Sequence, residues 1–335
     1  MMRMTVLASG SKGNSAVISS GRTRVLVDAG LSCRELLRRM AVAGEDPGAL
    51  NAILITHEHQ DHVAGLAVLA RKLKIPVFFT EGTHRAWVRM LTPRTTMSYA
   101  KWLDRLADEK QTREQEKKAR AAAVAIETAN ELAGDDLLRT DDATAGAELP
   151  VEACEEETLP ATAKADPAFL PAVEYFRAGT GFCIGDIEIT PFTIPHDAAD
   201  PCGFVFEAEG IRMAMATDLG YMPPNVKQAI AGSDVLLLES NHDLEMLRDG
   251  PYPWSVKQRV LSRVGHLSND ATAEYLAKDY DGGAAYIVLG HLSESNNVPE
   301  LARLAAEQAI GEQMTLLGNR ILLAGQNEPM DAIRL

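Results

Sequence analysis

The stretch "NAILITHEHQDHVAGL", residues 51–66, decides how the chain is read. Its first part is a short apolar, β-branched run ending at Thr56, the pattern of a buried strand. Directly after it come His57, Glu58, His59, Asp61 and His62, although the whole chain holds only eight histidines. A solvated turn has no need of three imidazoles, so metal-type side chains are being delivered where a core strand ends. The helical His-Glu-x-x-His metalloprotease motif does not fit, because Asp61 occupies the position four after His57.

Working outward, the same juncture recurs. Asp28 closes "RVLVD", His196 follows "ITPFTIP", Asp218 follows "RMAMAT" and His291 follows "AYIVLG". In α/β folds, sites assemble at strand ends from distant parts of the sequence, so this repetition predicts a composite site. Imidazole with carboxylate suits Zn²⁺, Mn²⁺ or Fe²⁺. The seven groups His57, His59, Asp61, His62, His196, Asp218 and His291 exceed what one catalytic zinc takes, which implies two divalent ions, zinc or manganese. Two such ions can share a hydroxide and lower its pKa, so hydrolysis is the expected chemistry.

The rest of the chain sets the frame. Its 335 residues allow one large or two ordinary domains. No long apolar run or signal-peptide pattern occurs, which predicts a cytoplasmic protein with no membrane partner. Cys33, Cys154, Cys183 and Cys202 are scattered without a C-x-x-C pair, as unpaired thiols are. The net charge of -14 argues at first against a nucleic-acid partner. Residues 94–175, however, hold 18 acidic and 10 basic side chains and so carry -8 of that charge. Strand and helix patterns alternate from Thr5 to Leu91 and again from "VEYFRAG" onward, which gives a mixed α/β domain whose two blocks hint at a duplicated half. Between them, about 93–173, lies an insertion. Helix formers come first, with Trp102, Leu103, Leu106 and Ala107 at packing spacing, followed by an acidic, Pro- and Gly-studded segment expected to be loosely ordered.

At this point the residues carry a family resemblance. "THEHQDH" resembles the H-x-H-x-D-H signature of the metallo-β-lactamase fold, with Asp28, His196, Asp218 and His291 in the order of its other motifs. The resemblance implies a four-layer αββα sandwich of two mixed sheets forming a single domain around the helical and acidic insertion. It also implies one metal on His57, His59 and His196, the other on Asp61, His62 and His291, Asp218 bridging, and Asp28 orienting the site from behind. "LASGSKGNSAVI", "PHDAADPCGF", "ATDLGY", "LLLESNHD", "GHLSN" and "LGHLSESNN" narrow it to the YycJ/WalJ-type exonucleases near ribonuclease Z. That family implies a DNA substrate, 5′-to-3′ degradation and a divalent metal, often Mn²⁺. Too few residues separate His196, Asp218 and His291 for the arm of ribonuclease Z or the extra domain of ribonuclease J relatives.

Further residues have two readings each. "SGSKGNS" is a tight turn between strands rather than a phosphate loop, and Ser11 and Asn14 in it are candidates to face the substrate phosphate. Glu239 and His242 are either a hydrogen-bonded structural pair or active-site residues. His266, in "VGHLSND", either packs in a capping loop or donates a proton to the leaving oxygen, as its counterpart does in the ribonuclease Z branch. His84 reads as a surface residue. Arg71, Lys72, Lys74, Lys257, Arg259 and Arg263 are either a nucleic-acid footprint or solvated surface. Asp61 and His266 are thus the expected catalytic pair. The rival functions are a small ester, lactone or thioester hydrolase of the same fold and a metal-binding scaffold protein.

Overall fold

Strand periodicity and helix amphipathicity together build two sheets back to back. In this computed structural model, residues 1–92, 166–311 and 319–335 are described. Six strands, β1 (Arg3–Ala8), β2 (Ser15–Ser19), β3 (Arg24–Val27), β4 (Ala52–Leu54), β5 (Val77–Phe79) and β6 (Val173–Tyr175), belong to the first sheet. The second holds β7 (Phe182–Ile184), β8 (Ile187–Thr193), β9 (Cys202–Ala208), β10 (Ile211–Ala216), β11 (Val235–Glu239), β12 (Tyr286–Gly290) and β13 (Arg320–Leu323). The C-terminal β14 (Ile333–Arg334) returns to pair with β1. Each sheet has seven strands, in the orders β14-β1-β2-β3-β4-β5-β6 and β13-β12-β11-β10-β9-β8-β7.

The two sheets follow one plan. From β14 to β3, and from β7 to β10, neighbours run antiparallel; from β3 to β6, and from β10 to β13, they run parallel. Alternating side chains divide the interior accordingly. Ile18, Val25, Val27 and Leu54 face Phe204, Phe206, Met213, Leu237 and Val288 in one cluster between the sheets. Val17, Leu26 and Ile53 turn outward and pack with Leu36 and Met40 of α1 (Cys33–Val42), Leu69 of α3 (Leu66–Leu73) and Trp87 of α4 (Glu81–Leu91). On the far side, Leu236, Leu238 and Ile287 pack with Val226 of α5 (Pro224–Ile230), Leu276 of α8 (Asn269–Lys278) and Ala306 of α9 (Pro299–Ile310). Helix, sheet, sheet, helix is the resulting order of layers. Three short helices complete the set: α2 (Gln60–Val63), α6 (Leu244–Asp249) and α7 (Trp254–Val260).

The expected long helix near Trp102 and the acidic segment lie outside the described residues, as does Cys154. The described chain resumes just before β6, where Leu170 is buried with the outer cluster of the first sheet. None of the described helices is long and apolar enough to cross a membrane.

Candidate metal centre

Parallel strands end together, and here their carboxyl ends bring the predicted residues into one place. Asp28 follows β3, His57 to His62 follow β4, Asp218 follows β10, Glu239 closes β11 and His291 follows β12. Three of these, Asp28, Asp218 and His291, have left-handed backbone, with φ of 59°, 64° and 56°. Side chains other than glycine adopt that region rarely, so each must be held there by its surroundings. The Ser15 hydroxyl donates to the Asp28 carbonyl, the Leu219 amide next to Asp218 donates to Glu239, and Ser9 and Asn241 grip the amide and carbonyl of His291, all at 2.6–2.8 Å.

The signature loop itself turns through α2, with His59 as its N-cap and the His62 amide donating to the His59 carbonyl. It lies so close to the chain after β3 that a Cβ on Gly30 would fall 1.6 Å from the Asp61 carbonyl oxygen. Only glycine fits there.

Four overlapping sets of ligand atoms result among the described residues: Asp218 joins His57 and His62 in one and Glu239, His266 and His291 in another, and two further sets flank it. His57, His59 and His196 converge in one, with His196 Nε2 at 3.2 Å from His59 Nδ1. Asp61, His62 and His291 form the other: Asp61 Oδ2 is 3.5 Å from His62 Nε2 and 3.6 Å from His291 Nε2. Asp218 stands between them, Oδ2 at 3.5 Å from His62 Nε2 and Oδ1 at 3.3 Å from His291 Nε2 and 4.0 Å from His196 Nε2. Ligands bound at 2.0–2.1 Å in a tetrahedron are separated by about 3.3 Å, so most of these spacings suit a zinc-sized ion. His57 Nε2, Asp218 Oδ2 and His291 Nε2 are moreover buried without a hydrogen-bond partner among the described residues, which a coordinated cation would remedy.

Electrostatics point the same way. Burial alone would raise Asp61, but His62 and His291 hold its carboxyl well below the usual range. Burial likewise opposes charge on His62 and His291, yet Asp28 and Asp218 around the first, and Asp218, Asp61 and Glu239 around the second, push both imidazoles up. His57 and His196 go down, chiefly through burial, and are neutral ligands in waiting. A cluster whose carboxylates demand positive charge, and whose free nitrogens point inward, is a cation site by construction.

The outer contacts fix each ligand. Asp28 accepts from the Thr56 amide and hydroxyl, both at 2.9 Å, and from His62 Nδ1 at 2.8 Å, which leaves Nε2 of His62 facing the cluster. Glu239 does the same for His291 Nδ1 at 3.0 Å and for His266 Nδ1 at 2.8 Å. His266 is the partly exposed member and sits with Nδ1 3.9 Å from Asp218 Oδ1.

Several expectations need correction. Glu239 and His242 are not a pair: Glu239 binds the two histidines just named, while His242 Nδ1 meets Asn241 Oδ1 at 3.3 Å and burial pushes its imidazole down to about 4. Asn14 does not stand free to meet a phosphate. It is buried, its Oδ1 accepts from the Gly10 amide, and its Nδ2 lies 3.2 Å from Asp61 Oδ2 and 3.0 Å from His62 Nε2, so it aims the ligands. Ser11, in contrast, is exposed in the same turn, as a residue that faces a substrate would be. Lys257 is a buried structural cation, its Nζ donating to the Arg248 and Gly250 carbonyls. His84 is half-buried, with Nδ1 2.8 Å from the Tyr175 hydroxyl. The sequence reading also passed over Asp197, whose Oδ1 is 3.4 Å from His196 Nε2 and which pairs with Arg259. Its signal was adjacency to His196.

Comparisons with known proteins agree with this geometry. The profile of the metallo-β-lactamase superfamily matches residues 8–291. The exodeoxyribonuclease YycJ of Bacillus anthracis is 32% identical over 93% of this chain and 90% of its own length. The exodeoxyribonuclease WalJ of Streptococcus pneumoniae is 30% identical over 90% of this chain and 86% of its own. Among solved structures, the metallo-β-lactamase fold protein YhfI from Bacillus subtilis superimposes with a TM-score of 0.59 at 14% identity, covering 99% of this chain and 100% of that one, a likeness of fold.

Proposed function

The chain belongs to the metallo-β-lactamase superfamily and, within it, to the family of the YycJ/WalJ exodeoxyribonucleases, and on that footing we propose that it is a two-metal phosphodiesterase degrading DNA from the 5′ end. The observation that carries the reading is the Glu239–His266 pair beside Asp218, at the rim of the flanking ligand sets.

A phosphodiester expels an alkoxide of high pKa, so an acid near the departing oxygen contributes about 10² to 10⁴ in rate. A thioester expels a thiolate of far lower pKa and needs such an acid less. His266 fills that role: Glu239 fixes its Nδ1, and Nε2 is left to deliver the proton. Asp61, kept ionised and aimed by Asn14, would accept a hydrogen bond from the attacking water and so orient it. His57, His59 and His196 would hold one divalent ion and Asp61, His62 and His291 the other, with Asp218 shared. Bound there, the pair of ions would supply charge neutralisation for the phosphate and a water of lowered pKa.

The test is a substrate panel with Mn²⁺- or Zn²⁺-loaded protein. Duplex DNA labelled at its 5′ end should release labelled mononucleotide at once, and DNA labelled at its 3′ end only late, with RNA and a chromogenic lactone slower. Lactone hydrolysis without nucleic-acid cleavage would install the small-ester reading instead.

A further inference from the structure

The metal-ligand sets occupy only part of the edge on which the first sheet delivers its strand ends. Moving outward from β4, the parallel neighbours β5 and β6 end in Thr80–Arg85 and in Tyr175–Arg177. These two ends, with Phe182 of β7 and Asp200, enclose a cleft of about 820 Å³. Two strand spacings amount to about 10 Å, so the cleft opens a short run of nucleotides away from the residues after β4. The wall between belongs to the site: Asp200 lies in the loop after His196, its carbonyl accepts from Thr80 and Thr83, and Glu58 of the signature holds the Ala199 amide.

The lining has the chemistry of a base rather than of a bare anion. Tyr175 is 57% exposed, yet its hydroxyl is fixed to His84, so a large flat ring is presented to solvent already oriented. Phe182 borders it with a ring already stacked on Phe78 and Phe176, so Tyr175 supplies the open face. Arg177 is exposed and forms no ion pair among the described residues, whereas Arg85 is paired with Glu81. The Asp200 carboxylate likewise has no hydrogen bond there, and suits an exocyclic amino group. Aromatic faces flanked by a free cation are how proteins seat single-stranded nucleic acid.

We infer that the cleft lined by Tyr175, Phe182, Arg177 and Asp200 is a nucleobase subsite for a single strand whose neighbouring phosphate lies at the metal cluster. The inference rests on the nuclease reading and adds where the strand runs. Tyr175 stacks the base, with the edge of Phe182 beside it, Asp200 accepts from an exocyclic amino group and Arg177 meets the backbone.

The test uses the full-length, Mn²⁺-loaded protein with a fluorescent single-stranded oligonucleotide that carries 5-iodocytosine and phosphorothioate linkages to slow cleavage. Irradiation should crosslink the base to Tyr175 or Phe182. Anisotropy should show Tyr175→Ala weakening binding about tenfold, Tyr175→Phe restoring it, and Arg177→Ala weakening it, with melting temperatures of all three at the wild-type value. Crosslinks confined to other residues, or wild-type binding by Tyr175→Ala, would overturn the inference. DNA cleavage by the wild-type protein with unchanged binding by Tyr175→Ala would reject the cleft alone. A wild-type protein that neither binds nor cleaves DNA would reject both.

Discussion

Asp28 offers the sharpest test of how the centre is held, because it touches no substrate and yet decides which nitrogen of His62 is free. It is 3% exposed, left-handed in backbone, and accepts three hydrogen bonds, two from Thr56 and one from His62 Nδ1. Asp28→Asn keeps the backbone, since asparagine tolerates that region. It replaces one accepting oxygen by a donating amide. Placed toward His62, the amide forces the proton to Nε2 and blocks the very atom that faces Asp61 and Asp218. Loss of such an orienting partner costs 10- to 100-fold in metal affinity, and loss of a charged hydrogen bond about 1.5–3 kcal/mol in stability. Asp28→Ala adds about 1–2 kcal/mol for a left-handed alanine and about 1–3 kcal/mol for the orphaned Thr56 amide. Against a total of about 5–15 kcal/mol that variant should be close to unfolding at ambient temperature. Competition with a chromophoric chelator measures the two affinities, urea melts in EDTA the stability, and imidazole ¹⁵N shifts the tautomer. Wild-type affinity at both sites, with Nδ1 of His62 still protonated in Asp28→Asn, would refute the reasoning.

Four further outcomes follow from the same geometry. Asp61→Ala should lower DNA hydrolysis at least 10²-fold in a protein that still folds; full activity with two metals bound would remove it from the site. His266→Ala should retain both metals, slow DNA hydrolysis, and matter much less for a phosphodiester with an activated aryl leaving group; equal losses on both substrates deny it the acid role. Chelation should lower the melting temperature, and adding Zn²⁺ back to 100 times its dissociation constant should restore about 2.7 kcal/mol for each site filled, a gain absent from a protein that binds no metal in its native state. Hydrogen bonds from Arg38 and Arg39 hold Glu35 down to about 2 from an ordinary 4.5, so its contribution is complete above about pH 4.5 and fades as the pH falls toward 2. Glu35→Gln should therefore lose less stability between about pH 5 and pH 3 than the wild type does, and identical slopes in urea melts would contradict the assignment.

What the sequence made legible was whatever repeats with a short period or sits at a fixed offset. The strand "SAVIS" and the helix "CRELLRRMAV" stand where their patterns put them, at β2 and α1, because burial on one face imposes the pattern. All seven proposed ligands meet, because each was marked by its position after an apolar run, and a parallel sheet turns that position into proximity. Partner choice had no such mark. Glu239 lies three positions from His242 in sequence but bonds to His266 and His291, 27 and 52 positions away. Its side chain follows the order β10, β11, β12 in the sheet, which apolar patterning does not encode. The partners of Asn14 were hidden for a related reason: the glycine- and serine-rich turn shows nothing of the neighbouring chain that will lie against it, and here that neighbour is the signature loop itself. The left-handed backbone at Asp28, Asp218 and His291 was likewise hidden, since aspartate and histidine enter that region more readily than most side chains but are found far more often outside it. It ties the two kinds of information together: the strand pattern delivers a ligand to the edge, and a distant side chain, Ser15, Glu239, Ser9 or Asn241, then holds the backbone in the sparsely populated turn that points it inward.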